Sequence, residues 1–278
     1  MVSISNEQLA CARSRMQQRS RIDLELRASL LTYAAKLAPS QAPGQLVIGP
    51  IWQYWHSGRD NAPEICRTCL DSVCHFAADR PITILDDSSL HQYVHLPSHI
   101  LARRGQMSIT HFSDILRSHL LAEHGGTWID ATVFLSGSIE HITSNLPFFA
   151  LTRPNDPLML SSWFMHSVRG HPLMCALRDM LTDYWQENEL LLHYNLLHFL
   201  FECAITLHSG LRRSWERTPF VLSGEHGLAR KLQAALRAGL SQAFFHEICS
   251  QTPVHKLSWK IGNTALAEAE KLRAWIRM

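Results

Sequence analysis

The sequence has no excess of charge of either sign. Its 278 residues include 26 Lys and Arg against 24 Asp and Glu, and 18% are charged while 46% are hydrophobic. A near-neutral chain lacks the basic surplus that nucleic-acid binding needs, so we expect no nucleic acid among its partners. The same composition is typical of an ordered globule with a sizeable core rather than of a disordered segment.

A membrane-spanning run and a secretory leader are also missing. The most apolar window, 190–208, is interrupted by Asn195, His198 and Glu202, so it predicts a buried helix rather than a membrane span. Residues 1–20 lack the apolar central region of a leader. We therefore expect a cytoplasmic protein, either soluble or bound peripherally at the inner face of a membrane.

The cysteines lack the pattern of a disulfide framework or a zinc site. There are seven, an odd number, and we expect free thiols in a reducing compartment. Cys66 and Cys69 share a predicted helix face with Ile65, Leu70 and Val73, which predicts that both thiols are buried. No second C-x-x-C accompanies this one, so zinc is not expected.

What the sequence does contain is an alternation of strands and helices. Strands are predicted at 45–53, 82–85 and 127–134, with helices at 63–77 and 109–123 between them. Helices follow at 172–187, 190–207, 228–239 and 263–276. This order predicts an α/β domain with a mostly parallel sheet, whose ligands bind at the carboxyl ends of the strands.

The N-terminal region is predicted to be a separate helical extension. Residues 5–38 have the pattern of two Arg-rich helices, and a linker containing Pro and Gly runs from Pro39 to Pro50. We therefore divide the chain into a helical extension at 1–44 and one domain at 45–278.

Polar residues interrupt the apolar pattern between 109 and 134. Asp114 and Arg117 are three residues apart on one helix face, where they can pair. Asp130 stands where the following strand should end, and position 132, where a second carboxylate would indicate a metal site, is Thr132. From the residues alone, the Asp114–Arg117 pair is equally well explained as a solvated surface ion pair.

The segments S-D-x-x-R (113–117) and G-G-x-W-x-D (125–130) resemble the signature of GT-A glycosyltransferases related to the retaining mannosyl- and toxin-type enzymes. The closer resemblance is to the bacterial capsular polysaccharide synthesis family. Its segments occur here in order as IWQYW (51–55), NAPEI (61–65), LDD (85–87), HFSDILR (111–117), GGTWIDATVF (125–134), SSWF (161–164), HP (171–172) and HKLSWK (255–260). The resemblance implies a GT-A-like, Rossmann-related sheet flanked by helices, with a helical C-terminal part.

The resemblance also implies an activity. Such a protein transfers a sugar from a nucleotide-sugar donor, UDP-linked, to a hydroxyl of a surface or capsular polysaccharide or a lipid-linked oligosaccharide, with retention. The alternative is a catalytically inactive GT-A domain that serves as a sugar-nucleotide-binding or assembly subunit, which Thr132 favours. A metal-dependent phosphohydrolase fits least, because no paired-carboxylate motif is present.

Site residues follow from the same resemblance. The donor base is expected at the end of the first strand, and the sugar at the S-D-x-x-R helix, with Asp130 as ribose or metal ligand beside Trp128. The late segment is expected to close over the diphosphate. The implied donor-binding residues are Trp52, Gln53, Tyr54, Trp55, Ser113, Asp114, Arg117, Trp128, Asp130, Lys256, Ser258, Trp259 and Lys260.

A divalent cation, Mn²⁺ or Mg²⁺, is implied as cofactor, with Asp130, Thr132 and His255 as its ligands. The neutral hydroxyl of Thr132 is a weak ligand for a hard cation, which puts the metal dependence in doubt. Catalysis is then expected to rest on Asp130, Asp114 and Arg117.

The helix predicted at 190–207 carries a polar stripe formed by Asn195, His198 and Glu202 on one face. Buried polar groups need hydrogen-bond partners or a function. His198 is therefore either a catalytic candidate on the acceptor side or a member of a core network.

Two basic segments predict contact with an anionic membrane surface. One is the N-terminal cluster of Arg13, Arg15, Arg19 and Arg21, and the other is the terminal helix with Lys271, Arg273, Trp275 and Arg277. The alternative is that both are solvated helix faces packed on the domain.

Overall fold

The computed structural model describes residues 24–38, 45–77, 79–152, 160–219, 221, 228–239, 241–260 and 265–276. Helix α1 covers 24–35. The other helices are α2 (Glu64–Phe76), α3 (Ser98–Ala102), α4 (Ile109–Glu123), α5 (Glu140–Thr143), α6 (Pro172–Glu187), α7 (Leu196–Leu207), α8 (Ser209–Glu216), α9 (Leu228–Arg237), α10 (Gln242–Gln251) and α11 (Ala265–Ile276). The strands are β1 (Ile51–Tyr54), β2 (Ile82–Leu85), β3 (Gly126–Ile129), β4 (Val133–Leu135), β5 (Phe148–Thr152), β6 (Leu160–Ser167) and β7 (Val254–Lys256).

The main sheet has five strands in the order β2-β1-β3-β6-β5. Strand β1 is parallel to β2 and to β3, whereas β6 is antiparallel to both of its neighbours, β3 and β5. Since β5 then runs in the direction of β3, β6 is the reversed strand of this sheet. The predicted mostly parallel α/β architecture is confirmed. A separate two-stranded sheet pairs β4 with β7.

Several predicted elements are confirmed and others are shorter. Helices α2 and α4 and strand β2 lie where the periodicity predicted them. The first strand begins only at Ile51, and the predicted strand at 127–134 is broken into β3 and β4 by the turn at Asp130. Helix α7 begins at Leu196 because the preceding residues form a loop, in which Leu190 is 75% exposed. Strands β5, β6 and β7 and helices α3, α5, α8 and α10 were not predicted.

Two glycines join α4 to β3. Gly125 and Gly126 have φ angles of +69° and +101°, in the region that favours glycine. A Cβ on Gly126 would lie 2.2 Å from the carbonyl oxygen of Pro50, and one on Gly125 would lie 2.5 Å from the amide of Arg169. The Gly-Gly pair therefore lets the chain turn tightly from α4 into β3, close to the backbone at Pro50 and Arg169. This turn fixes where β3 begins and hence where Asp130 lies.

Helix α1 packs in the same hydrophobic core as α6 and α7. Leu30 and Ala34 have no exposed surface and belong to the core cluster that contains most of both helices. Arg27 Nε donates to Glu202 Oε2 at 2.7 Å, and Asn188 Nδ2 donates to the hydroxyl of Tyr33 at 2.7 Å. The boundary at residue 44 stays a prediction, because residues 1–23 and 39–44 lie outside the described residues.

The terminal helix α11 packs on the domain. Arg273 pairs with Glu64 and lies 3.6 Å from Asp71, both on α2, while the ring of Trp275 lies 4.7 Å from that of Phe245. Arg277 and the N-terminal arginines lie outside the described residues. Within the described ranges, no helix combines the length and the apolar character needed to cross a bilayer.

The prediction of buried thiols on α2 is confirmed. Cys66 and Cys69 have no exposed surface, and burial raises the pKa of Cys66 to about 12. Both thiols pack in the core cluster that also holds Ile65 and Phe134.

Candidate active site

Asp130 lies at the point where the chain leaves the main sheet. Its amide donates to the carbonyl of Trp163 at 2.9 Å, and its own carbonyl accepts from the amide of Val133 at 2.8 Å. The indole of Trp128 donates to Asp130 Oδ1 at 2.8 Å. The strand end therefore orients the carboxylate through the backbone turn and through a neighbouring side chain.

The guanidinium of Arg117 lies between two carboxylates. Its Nη2 is 3.3 Å from Oδ1 of Asp114 and 3.3 Å from Oδ1 of Asp130, and its side chain is only 2% exposed. Nε and Nη2 also donate to the carbonyl and hydroxyl of Ser113 at 3.1 and 2.9 Å, and Nη1 donates to the carbonyl of Ser162. The surface-ion-pair alternative is wrong, because the pair is buried and forms part of a larger cluster.

Lys256 completes this cluster from the C-terminal part of the chain. Its Nζ donates to Asp130 Oδ2 at 2.8 Å and to Thr132 Oγ1 at 2.6 Å. The pairing of β7 with β4 puts Lys256 opposite Val133, and the Leu257 amide donates to the carbonyl of Thr132 at 2.9 Å. The result is a set of two carboxylates and two cations, which we call the charged cluster: Asp114, Arg117, Asp130 and Lys256.

The pKa values of the two acids in the charged cluster are shifted in opposite directions. Burial raises the pKa of Asp114 to about 6, although Arg117 lowers it in part. Burial also acts to raise the pKa of Asp130, but Lys256 and Arg117 outweigh it, and the pKa of Asp130 is lowered. Asp130 is therefore ionised at neutral pH, whereas Asp114 takes up a proton in mildly acidic solution.

A cleft of about 590 Å³ opens beside the charged cluster. This volume lies within the range of small-molecule sites. Most of the residues implied by the sequence resemblance line it: Tyr54, Trp55, Ser113, Arg117, Trp128, Asp130, Thr132, Lys256, Ser258, Trp259 and Lys260. The structure thus brings the N-terminal strand, the α4 helix, the end of β3 and the late HKLSWK segment to one place.

Aromatic side chains form one wall of the cleft. The rings of Trp55 and Trp259 meet edge to face with centroids 6.1 Å apart, and Lys260 Nζ lies 5.5 Å from the ring of Trp259. The indole nitrogen of Trp55 and Nδ1 of His56 are buried and have no hydrogen-bond partner among the described residues. A bound ligand with an acceptor could satisfy the indole N–H of Trp55, and His56 Nδ1 could donate or accept according to its tautomer, since unpaired buried polar atoms are costly.

Tyr54 is fixed at the opposite side by charged neighbours. Its hydroxyl donates to Asp87 Oδ1 at 2.5 Å, and Arg104 Nη2 lies 3.2 Å from Asp87 Oδ2. Burial, and then the bond to Asp87, raises the pKa of Tyr54. The Asp87 carboxylate that follows β2 therefore holds the end of β1 in place.

Sequence reasoning missed part of the lining. Ile109, Thr110, Tyr194 and Arg230 also line the cleft, as does His56. His56 directly follows the IWQYW segment and could have been included on that basis. Arg230 lies on α9 outside every recognised segment, so only the fold reveals it.

Trp52 and Gln53 are not part of the lining. Trp52 is 3% exposed, and its indole donates to the carbonyl of Gly125 at 2.9 Å, within the core. Gln53 has no exposed surface, and its amide has no partner among the described residues. The physical reason is their position along β1, because the cleft begins only at the carboxyl end of the strand, at Tyr54.

His255 and His198 also lie away from the charged cluster. Because side chains alternate along β7, His255 points to the face opposite Lys256, where its Nε2 lies 2.8 Å from Ser136 Oγ. It has no exposed surface, and burial lowers its pKa to about 4. His198 is on α7 and does not line the cleft. Of the polar stripe on that helix, Glu202 serves packing, since it pairs with Arg27 of α1.

The predicted metal ligands therefore do not assemble as a set. Among the described residues, no group of three or more His, Cys, Asp or Glu side chains is arranged to share a metal ion. Asp130 and Thr132 are close together, but Lys256 donates to both. The divalent cation stays a prediction, with His255 removed from its ligand set.

Comparison with known proteins gives a family match over nearly the whole chain. The model of a family described as capsular polysaccharide synthesis protein matches residues 3–274. The O-glycosyltransferase PaGT of Phomopsis amygdali is 29% identical over 41% of this chain and 34% of its own length. The O-glycosyltransferase braB of Annulohypoxylon truncatum is 26% identical over 49% of this chain and 37% of its own length. The chain thus matches about a third of the length of these curated relatives.

Solved structures were compared as well. The glycosyltransferase PaToxG superposes with a TM-score of 0.42 at 12% identity, covering 96% of both chains.

Proposed function

This chain belongs to the capsular polysaccharide synthesis protein family, and from that premise we propose that it is a glycosyltransferase. It transfers a sugar from a nucleotide-sugar donor, UDP-linked, to a hydroxyl of a surface polysaccharide or a lipid-linked oligosaccharide. The two curated relatives, both O-glycosyltransferases by name, support sugar transfer.

The observation that carries this proposal is the charged cluster beside the cleft. A nucleotide-sugar has an anionic diphosphate, a sugar rich in hydroxyls and a flat base, and each needs a different partner. The cationic side chains of Lys256, Lys260 and Arg230 line the cleft and suit the diphosphate. Asp130 can accept from sugar hydroxyls, and the aromatic wall at Trp55 suits the base.

The proposed reaction forms one bond and breaks another at the anomeric carbon. The bond from this carbon to the diphosphate oxygen breaks, and its electron pair leaves with the diphosphate. The acceptor hydroxyl oxygen bonds to the same carbon, and its proton goes to the departing diphosphate. The catalytic contribution is orientation of the two substrates and stabilisation of the leaving charge.

We propose that transfer proceeds with retention on the front face. Asp130 is the one carboxylate that lines the cleft among the described residues, and its oxygens are held by Arg117, Trp128 and Lys256. A carboxylate restrained by three donors is poorly suited to attack the anomeric carbon and form a covalent intermediate. This arrangement disfavours a covalent intermediate on Asp130, whereas retention itself is proposed from the resemblance to retaining enzymes.

A lipid-linked acceptor would bring the enzyme to the cytoplasmic face of a membrane. We propose a peripheral contact with anionic lipid through the N-terminal arginines at 13–21. Arg273 and Trp275 of the terminal helix are engaged with the domain, which leaves the N-terminal segment as the preferred contact.

A thermal-shift panel tests the proposal. Purified protein is heated with UDP-, GDP-, CMP- and dTDP-sugars, each with and without Mn²⁺. A donor at one hundred times its Kd should raise the Tm by about 5 °C or more, because binding stabilises the native state by mass action. The proposal expects one base class to respond.

The other outcomes of the panel are equally informative. A selective shift, combined with no release of nucleoside diphosphate when the same donor is incubated with the protein, would identify the chain as a sugar-nucleotide-binding subunit, the alternative that Thr132 favours. No shift with any donor, in either buffer, would overturn the proposed function.

A further inference from the structure

The ammonium of Lys256 lies between the first and third residues of the Asp130-Ala131-Thr132 motif. Its Nζ is 2.8 Å from Asp130 Oδ2 and 2.6 Å from Thr132 Oγ1. These are two of the three side chains from which the sequence resemblance implied a metal site, the third being His255. A protein cation therefore occupies the position expected for a divalent ion.

Lys256 is held there by the fold rather than by a flexible loop. Its strand, β7, pairs with β4 in the register that puts Lys256 opposite Val133. The backbone bond from Leu257 to Thr132, 2.9 Å long, continues this pairing up to the motif. The Lys256 side chain is 14% exposed, and its Nζ lies 5.8 Å from the ring of Trp163. The ammonium thus faces the cleft from a fixed position.

The donor set fits a divalent ion poorly. Trp128 donates to Asp130 Oδ1 at 2.8 Å and Arg117 lies 3.3 Å from the same oxygen, while Lys256 takes Oδ2. Thr132 adds only a neutral hydroxyl, and His255 points to the opposite face. Hard cations take six or more oxygen ligands and favour carboxylates. A metal at this position would have to displace Lys256 and then lie beside its charge.

The charges of the cluster already balance. Asp114 and Asp130 supply two negative charges when both are ionised, and Arg117 and Lys256 supply two positive ones. Both cations line the cleft, but the Arg117 side chain is 2% exposed and already donates to Ser113 and Ser162, whereas the Lys256 side chain is 14% exposed. When a diphosphate approaches, Lys256 is therefore the cation of the cluster best placed to meet it.

We propose that Lys256 takes the place of the divalent cation that the resemblance to GT-A enzymes implies, so that this chain binds the donor diphosphate without metal. This inference rests on the proposed function. In the transfer step, the bond from the anomeric carbon to the diphosphate breaks, and the Lys256 ammonium stabilises the negative charge that develops on the departing oxygen. No proton leaves Lys256, because the departing diphosphate receives the proton of the acceptor hydroxyl.

Calorimetric binding of nucleoside diphosphates is the test. UDP, GDP, CDP and dTDP are titrated into metal-stripped protein, once with EDTA and once with Mn²⁺. For the nucleotide that binds, we expect the Kd of the natural chain to be the same in both buffers within about twofold. Lys256→Met should weaken binding about thirtyfold or more, because it removes a cation paired to a desolvated charge. Mn²⁺ should not restore it.

Two further variants separate charge from structure. Lys256→Arg keeps the cation and should bind without metal, even if the Met variant folds poorly. Lys231→Met is the matched control, because Lys231 is exposed on α9 and its Nζ donates to the side chain of Gln251 at 3.0 Å. It should bind nucleotide like the natural chain.

A double substitution tests Lys256 through Mn²⁺ binding, which would not change if the lysine had only a structural role. Thr132→Asp restores the second carboxylate but should not bind Mn²⁺ by itself, because Lys256 still lies between the two acids. Combined with Lys256→Met, the same substitution should create a Mn²⁺ site visible by electron paramagnetic resonance, and nucleotide binding should become sensitive to EDTA. The two positions are then coupled in the manner of a double-mutant cycle.

The outcomes that overturn the inference are distinct from failure of the proposed function. Nucleotide binding to the natural chain that requires Mn²⁺ would overturn the inference alone, as would a Lys256→Met variant that binds as tightly as the natural chain. If none of the four nucleotides binds in either buffer, the proposed function fails, and this inference fails with it.

Discussion

Arg117 organises the charged cluster at the scale of single residues. Its guanidinium reaches Asp114 and Asp130 at 3.3 Å each and also donates to Ser113 and Ser162, with almost no exposed surface. The planar fork of an arginine can serve several acceptors in fixed directions, and the ammonium of a lysine cannot. The family segment S-D-x-x-R therefore holds the charged cluster together and also supplies residues that line the cleft.

The substitution Arg117→Lys tests this role. A lysine would keep a positive charge near the buried acids but could not replace the hydrogen bonds that the guanidinium donates to Ser113 and Ser162, and breaking a buried pair costs about 3–5 kcal/mol. We expect the urea midpoint of unfolding to fall and donor binding to be lost. The conservative exchange of Arg178, a partly exposed arginine on α6 paired with its neighbour Asp179, is the control. An Arg117→Lys variant that keeps both its stability and its donor binding would show that the fork is dispensable.

The position of Lys256 at the Asp130-Ala131-Thr132 motif was only partly predictable from the sequence. The sequence predicts Asp130, Arg117 and Lys256 as site residues through the resemblance, and all three meet in one cleft. It does not predict that Lys256 contacts Thr132, because the two are brought together by a pairing of strands that are distant in the chain. Spacing along the sequence carries no information about such a long-range contact.

At the scale of elements, the long periodic helices were predictable and the three-residue strands were not. Helix α4 has a full apolar stripe and two glycines behind it, and it lies at Ile109–Glu123 as predicted. Strands β4 and β7 have three residues each, too few for a period of two to be recognised. Yet these two strands bring the C-terminal segment to the site, so the least predictable elements matter most for it.

The packing partner of the polar stripe on α7 could not be predicted from the sequence of that helix. Asn195, His198 and Glu202 were correctly recognised as unusual in an apolar segment, but their function could not be inferred from one helix. Glu202 pairs with Arg27 of α1 at 2.7 Å, and Arg27 also lies 4.8 Å from the ring of Phe199. Glu202 therefore anchors the N-terminal helix, and a helix considered alone cannot reveal its packing partner.

At the scale of the whole molecule, buried histidines make stability depend on pH. Burial is the main reason that four histidines have a pKa of about 4: His111, His166, His171 and His255. In the unfolded chain a histidine titrates near 6.5. Between these values the unfolded chain binds protons that the folded chain does not, so stability falls as the pH decreases from about 6.5 towards 4.

Asp114 acts in the opposite direction. Its folded pKa of about 6 exceeds that of an unfolded aspartate, so between about 4 and 6 the folded state holds one proton that the unfolded state releases. Four histidines against one aspartate leave a net uptake of roughly three protons on unfolding near pH 5. Each proton changes the free energy of unfolding by about 1.4 kcal/mol per pH unit.

We therefore predict a steep loss of stability in mildly acidic solution. Urea midpoints measured by circular dichroism should fall continuously from pH 7 to pH 4.5. Replacing the exposed His91 by Gln should leave the slope unchanged, because this side chain is in contact with solvent before and after unfolding. A midpoint that stays constant or rises over this range would contradict the assignment of the four histidines as buried and neutral.

The most direct test of the account is the release of nucleoside diphosphate from a nucleotide-sugar, measured without a saccharide acceptor so that water accepts the sugar. The natural chain and Asp130→Asn are incubated with UDP-, GDP- and dTDP-sugars, and the nucleoside diphosphate is quantified by chromatography. We predict release from one donor class by the natural chain and at least about tenfold slower release by the variant, equivalent to about 1.4 kcal/mol in the barrier. Equal rates for the two proteins, or no release from any donor by the natural chain, would contradict the account.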